Sequence, residues 1–230
     1  MTATEDASWR SLYRMGGIAF LVAGTWYLIL TVLLLVVIAR SEYLDSSQAL
    51  MNQIIVTPVL PRLNAFMAVI VDMSQVTGFV VLMLALRQVD RSWPVLAVVL
   101  IAFVMLFDMQ DGLIEWAMTY SYAAYPTASE VVQSAYEVQA ELIYQYIDKV
   151  ATPFMALMVG LSVGITSSVL RNSEFSRSTT YLGFVVAGVC IVGGLTTVFP
   201  LLLSVSIWYL AVGAQLFRRP RAIAYRQGAA

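Results

Sequence analysis

The sequence contains no histidine, which excludes several common kinds of functional site. Haem held by two histidines, zinc or copper held by histidine, Ser-His-Asp catalysis and a histidine proton relay all need an imidazole. No cofactor is therefore predicted. Cysteine is nearly absent as well, because Cys190 is the only one. An intrachain disulfide and a Cys-x-x-Cys site are both excluded, and we expect this side chain to be a buried apolar residue.

Charged residues are also scarce. Only 12% of the 230 residues are charged and 60% are hydrophobic, whereas soluble domains have about 25% charged and roughly 45–50% apolar residues. The net charge of −1 excludes a typical nucleic-acid-binding protein. Long apolar runs are present instead. The composition therefore predicts an all-α, polytopic membrane protein whose surroundings are the lipid bilayer.

The apolar runs predict six transmembrane helices. A helix needs roughly 20 mostly apolar residues to cross a bilayer. The last apolar stretch, residues 180–217, would measure about 57 Å as one helix, nearly twice the hydrocarbon thickness. Pro200 lies near its middle and suits the first turn of a new helix, so we divide the stretch there. The predicted spans are residues 16–39, 64–86, 93–117, 146–170, 180–198 and 200–217.

The distribution of arginine predicts the orientation of these helices, because cytoplasmic loops carry an excess of basic residues. With six spans, four segments on one side hold ten of the 13 basic residues. These are Arg10, Arg14, Arg87, Arg91, Arg171, Arg177, Arg218, Arg219, Arg221 and Arg226. Both termini are therefore predicted to be cytoplasmic, with residues 1–15 as an N-terminal segment and residues 218–230 as a basic tail. The connection of residues 40–62 is predicted to be a loop on the outer surface.

Acidic residues at membrane depth are the candidate functional groups. Asp72 and Asp108 are predicted to lie about 12 and 14 Å below the outer ends of the second and third spans. Asp108, Asp111 and Glu115 follow one another at i, i+3 and i+7, which places them on one helix face. An ionised acid at a helix centre costs roughly 2.5–3.5 kcal/mol, so each of these acids needs a functional or structural reason.

A polar stripe leads from the aqueous segment into the fourth span. Thr127 and Glu130 have capping-box spacing and predict a helix that continues into this span. A stripe within the membrane should face the bundle or a water-filled cavity. We expect Lys149 to be the counter-ion of Asp111 or Glu115. The pattern predicts an acidic vestibule that opens to the outside. Its stripe includes Glu137, Glu141 and Gln145. Its ion- or solute-binding residues are Asp72, Asp108, Asp111, Glu115, Asp148 and Lys149.

Small residues at four-residue spacing predict close contacts between helices. Gly160 with Gly164, and Gly183 with Ala187, have this spacing within apolar spans. Small side chains allow helix backbones to approach one another in a membrane. We expect these residues to pack helices together rather than to form a binding loop.

Two functions follow from the acids without any motif. Carboxylates at membrane depth, reached by a polar stripe, favour transport or handling of a cation or proton. The small size and the absence of internal repeats favour a homo-oligomer or a membrane partner protein. The alternative is a non-catalytic membrane subunit or sensor, in which the acids only hold helices together.

A third function, an intramembrane metal-dependent transferase, follows from two local resemblances. Asp108-Met-Gln-Asp111-Gly112 resembles the opening of the CDP-alcohol phosphotransferase motif, although Glu115-Trp116 follows where that family has further motif residues. Asp108-x-x-Asp111-x-x-x-Glu115 is similar to the acidic motif of the UbiA-type prenyltransferases, with Phe107 in place of the leading asparagine. The resemblances imply a divalent ion that neutralises phosphate oxygens.

The layout of the whole chain resembles the six-helix bacterial membrane proteins of the domain-of-unknown-function 4386 type. The shared features are the long first connection of residues 40–62, a polar segment before the fourth span and a glycine-rich fifth span, residues 181–188. The resemblance implies a six-helix bundle and a multi-pass location in the bacterial inner membrane. It implies no activity and no site residues.

Overall fold

The computed structural model describes residues 3–38, 47–193 and 198–228, which form helices joined by short connections. A 3₁₀ helix covers Tyr122–Thr127, and a π-helical turn, Ile147–Ala151, joins α5 to α6. No strand occurs in the described residues, and the predicted all-α class is confirmed. The α-helices are α1 (Ala3–Ile38), α2 (Ser47–Val56), α3 (Val59–Leu86), α4 (Trp93–Ser121), α5 (Glu130–Tyr146), α6 (Thr152–Leu170), α7 (Arg177–Gly193) and α8 (Val198–Gly228).

Five helical segments are long and apolar enough to cross a membrane. They belong to α1, α3, α4, the continuous α5–α6 helix and α8, and the apolar helix α7 is shorter, with 17 residues. Large apolar side chains on the outside of the bundle, such as Leu106, Leu113 and Val192, are exposed as lipid-facing residues would be. The chain is therefore a membrane helix bundle.

The six apolar helices form a closed ring. In chain order, α1 packs against α3, α3 against α4, α4 against α6, α6 against α7 and α7 against α8, and α8 returns to pack against α1. Neighbours in the chain are thus neighbours in space. The ring brings α1, α3, α4, α6 and α8 around a common interior.

Several helices extend beyond the predicted spans. The N-terminal segment continues helix α1 back to Ala3, and the C-terminal tail continues α8 to Gly228. Helix α3 begins at Val59, and Pro61 lies in its first turn, where no intrahelical hydrogen bond is lost. The stretch of residues 180–217 is divided between α7 and α8. Residues 194–197, between these two helices, lie outside the described residues, as does the predicted end of the first span at residues 39–40.

Glycines allow the closest helix contacts. A Cβ atom on Gly17 of α1 would lie 2.8 Å from the backbone nitrogen of Phe217 and 2.9 Å from the carbonyl oxygen of Gly213, both in α8. The predicted small-residue packing is confirmed between α6 and α7, where a Cβ on Gly160 would lie 3.1 Å from the carbonyl oxygen of Ala187. These backbones can approach only because the side chains are absent.

The prediction of a loop over residues 40–62 is wrong, because helix α2 lies within it. Helix α2, the 3₁₀ helix and α5 form a small assembly, which we call the cap. The cap has its own apolar core. Burial of apolar side chains of α2 in this core explains why α2 is helical. The core consists of Met51, Ile54, Met118, Tyr122 and Ala140.

The capping box predicted for Thr127 and Glu130 is also wrong. Helix α5 begins at Glu130, but Ser129 occupies its N-cap position. Thr127 ends the 3₁₀ helix, and its hydroxyl donates a hydrogen bond to the carbonyl oxygen of Ala124 at 3.2 Å. The N-cap of α5 therefore lies two residues later than the spacing predicted.

The contact between α1 and α8 generates a first prediction. Replacing Gly17 by alanine should lower the free energy of unfolding by about 1–3 kcal/mol, because the methyl group would meet backbone atoms that cannot rotate away. Gly188→Ala is the matched control, since a Cβ there has no atom within 4 Å. Thermal unfolding of the purified protein in detergent measures both. Equal midpoints for the two variants would contradict the close contact.

The core of the cap generates a second prediction. Ile54→Ala should destabilise the cap by about 2–5 kcal/mol, the usual cost of emptying a packed site. Hydrogen–deuterium exchange of the α2 amides should increase, while exchange in α3 and α4 stays unchanged. Val56→Ala removes a side chain that is 71% exposed and should leave exchange as in the wild type. Unchanged protection in Ile54→Ala would show that α2 does not depend on this core.

Candidate functional site

The structure brings Asp72 and Asp108 together in the middle of the bundle. Asp72 lies near the midpoint of α3 and is 1% exposed, and Asp108 lies near the midpoint of α4. Their carboxyl groups are within hydrogen-bonding reach of each other. Among the described residues no donor group bonds to Oδ2 of Asp72. Two carboxyl groups can hydrogen-bond to each other only when one of them carries a proton.

Gln75 connects this pair to two other helices. Its amide nitrogen donates to the hydroxyl oxygen of Tyr27 at 2.5 Å and to Oδ1 of Asp72 at 3.3 Å. Its amide oxygen accepts a hydrogen bond from the Tyr209 hydroxyl at 2.9 Å. We call Tyr27, Asp72, Gln75, Asp108 and Tyr209 the Gln75 network. It joins α1, α3, α4 and α8 through buried polar groups, which are costly to leave unpaired.

A cavity of about 210 Å³ lies beside the Gln75 network. Side chains of α1, α3, α4, α6 and α8 line it, and we call it the central cavity. Most of its wall is apolar. Its polar side chains are Tyr27, Asn64, Gln75, Asp108 and Thr152, together with the indole of Trp26. The carboxyl group of Asp108, one of the acid pair, therefore faces an open space within the bundle.

Two further acids on α4 continue from the pair towards the cap. Asp111 is buried, and its Oδ1 has no hydrogen-bond partner among the described residues. Glu115 accepts a long hydrogen bond, 3.5 Å, from the amide of Asn64, which itself lines the central cavity. The described residues contain no group of three His, Cys, Asp or Glu side chains that could hold a metal ion.

The expected pairing of Lys149 with Asp111 or Glu115 is wrong. Lys149 forms an ion pair with its neighbour Asp148 at 2.5 Å, and its side chain is 69% exposed. Both residues lie in the π-helical turn, where each turn takes up more residues than in an α-helix. The extra residue changes the direction of the side chains, so the regular three- and four-residue spacing no longer follows one face.

The rest of the polar stripe lies on the cap. Glu137 accepts a hydrogen bond from the Tyr125 hydroxyl at 2.8 Å, and Glu141 accepts one from Gln145 at 2.8 Å. Hydrogen bonds from Ser47 of α2 and from Gln145 lower the pKa of Glu141, because they favour the charged carboxylate. These stripe residues are exposed and do not line the central cavity. Their contacts connect α5 with α2 and with the 3₁₀ helix.

Thr152 is the stripe member that does line the central cavity. The predicted vestibule, which placed Asp72, Asp108 and Lys149 around one space, is therefore replaced by a smaller cavity inside the bundle. Only Asp108 of those three lines it, and Asp72 is a neighbour of Asp108 that does not line the cavity.

Sequence reasoning missed three members of the Gln75 network. Gln75 follows Asp72 by three residues within an apolar span, so its position on the same helix face was a usable signal. Tyr27 and Tyr209 carry no such signal, because a tyrosine in an apolar run usually serves as a large apolar side chain with a polar tip. Only the folded chain shows that their hydroxyls reach the same amide.

Comparisons of the chain with protein-family models, with curated proteins and with solved structures found no match. The interpretation of the site therefore depends on its geometry.

The Gln75 network generates a third prediction. Gln75→Leu keeps the approximate shape but leaves the buried Tyr209 hydroxyl without its acceptor, at about 1–3 kcal/mol for a buried group left unpaired. Its thermal midpoint in detergent should fall clearly below that of the wild type. Gln145→Leu, on the exposed side of α5, is the matched control and should change the midpoint little. Similar midpoints for the two variants would show that the network does not hold the helices.

Proposed function

We propose that the protein binds and moves a cation or a proton through the central cavity, with the Asp72–Asp108 pair as its binding site. The single observation that supports this proposal is the contact of two carboxyl groups at the middle of a membrane bundle, one of them lining a cavity. Acids at this depth are costly, and in membrane proteins they commonly mark ion pathways and proton relays. Release of the shared proton would leave a carboxylate able to hold a cation.

A non-catalytic membrane subunit or sensor is a second function with a specific observation in its favour. Gln75 uses both ends of its amide within the network, as an amide that ties helices together would. In that case the acids would stabilise the bundle without exchanging any ion. The two functions differ in whether Asp108 variants lose flux or only stability.

We further propose six spans with both termini cytoplasmic, in a bacterial inner membrane. The closed ring of six apolar helices supports the span number, and α7, at about 26 Å, is only slightly shorter than the hydrocarbon core. The distribution of arginine supports the orientation. The resemblance to the domain-of-unknown-function 4386 type supports the location in a bacterial inner membrane. Because the bundle is small, we also propose that it works as a homo-oligomer or together with a membrane partner protein.

Flux through reconstituted protein generates a fourth prediction. Purified protein in liposomes should carry protons or cations down an imposed gradient, followed with an enclosed pH-sensitive dye and with radiolabelled cations. Asp108→Asn should abolish this flux, because the amide cannot bind and release a proton or neutralise a cation. Glu130→Gln removes an exposed acid of α5 and should leave the flux unchanged.

Equal flux in Asp108→Asn and the wild type would contradict the proposed function. A loss of thermal stability in Asp108→Asn, with no flux in the wild type, would favour the structural subunit instead.

A further inference from the structure

The charge of the central cavity indicates what kind of ion could occupy it. Among the described residues that line it, Asp108 is the one carboxyl group, and neither Lys nor Arg is present. Asp72 adds a second carboxyl group next to that of Asp108. An anion in this space would meet a carboxyl group with no positive charge to compensate, which is unfavourable in an apolar interior. The cavity therefore favours a cation over an anion.

The wall of the cavity does not suit a calcium or magnesium ion. Calcium takes about six to eight oxygen ligands, and magnesium prefers six in a strict octahedron. Here most of the wall is apolar, and the amide oxygen of Gln75 already accepts a hydrogen bond from the Tyr209 hydroxyl. A ligand in this space would instead contact apolar side chains and the aromatic residues Trp26 and Tyr27. These are the contacts that a cation with apolar substituents can use.

The volume limits the size of the ligand. The cavity measures about 210 Å³. A cavity of about 150 Å³ holds benzene, whereas drug-sized ligands fill roughly 300–1,000 Å³. A compact ion slightly larger than benzene therefore fits, and a long-chain or polycyclic cation does not.

We propose that the ligand of the central cavity is a small alkylammonium ion, held between Asp108 and the aromatic side chains of Trp26 and Tyr27. This inference rests on the proposed function, since it names the substrate class of the same cavity. Trp is the strongest aromatic partner for a cation, and the thioether of Met155 gives a further polarizable contact. Methyl groups on the nitrogen match the apolar wall, and the charge matches the carboxyl group.

Calorimetric titration of the full-length protein in detergent tests the ligand class. The probes are tetramethylammonium and choline, with 3,3-dimethylbutan-1-ol as the uncharged analogue of choline and sodium chloride at the same ionic strength. Both ammonium ions should bind saturably, and the uncharged analogue about tenfold more weakly or not at all. Asp108→Asn should weaken binding by a similar factor, and Trp26→Leu by about 2- to 30-fold. Glu130→Gln should bind as the wild type does.

Two results obtained with the wild-type protein alone would overturn the proposal. One is the absence of saturable binding of either ammonium ion, and the other is equal binding of the uncharged analogue. Neither depends on whether a variant folds.

The flux measurement separates this inference from the function on which it rests. Flux that depends on Asp108, without binding of alkylammonium ions, would leave the proposed function and remove the ligand class. Binding of these ions that depends on Asp108, without any flux, would leave the ligand class and remove transport.

Discussion

The contact between Asp72 and Asp108 is the interaction on which the functional interpretation depends. A carboxyl group in an apolar bundle must find a hydrogen-bond partner or a charge, and each of these two finds the other. A single proton neutralises only one of the two carboxyl groups. When the other group is ionised, one negative charge remains beside the central cavity. Under the proposed function, this charge is the group that an exchangeable cation or proton neutralises.

The surrounding helices support this pair through packing as well as hydrogen bonds. The rings of Phe20, Phe79 and Tyr209 lie 5.3–6.1 Å apart between centroids, and the fully buried Trp208 packs against the same group. This aromatic cluster joins α1, α3 and α8 next to Gln75, and the glycine contact between Gly17 and Gly213 lets α1 and α8 come close enough to form it. Apolar packing thus fixes the position of the Tyr209 hydroxyl. The hydrogen bond that this hydroxyl donates then orients the side-chain amide of Gln75.

Much of the bundle was predictable because its causes are local. Apolar runs of about 20 residues predict membrane helices whatever their neighbours are, and the depths of Asp72 and Asp108 within their runs predicted that they would lie at a similar level. The cap was not predictable, because α2 depends on contacts with residues about 65 to 90 positions away in α4, the 3₁₀ helix and α5. The direction of Lys149 was not predictable either, since a π-helical turn interrupts the period from which its face was inferred.

Infrared spectroscopy of the full-length protein in lipid bilayers tests most directly whether Asp72 and Asp108 share a proton. A protonated carboxyl group has a C=O stretching band that a carboxylate lacks. The shared proton predicts such a band in the wild type and in Glu130→Gln, and its loss in the double variant Asp72→Asn/Asp108→Asn. A wild-type spectrum without a protonated carboxyl band, or a band unchanged in the double variant, would contradict it.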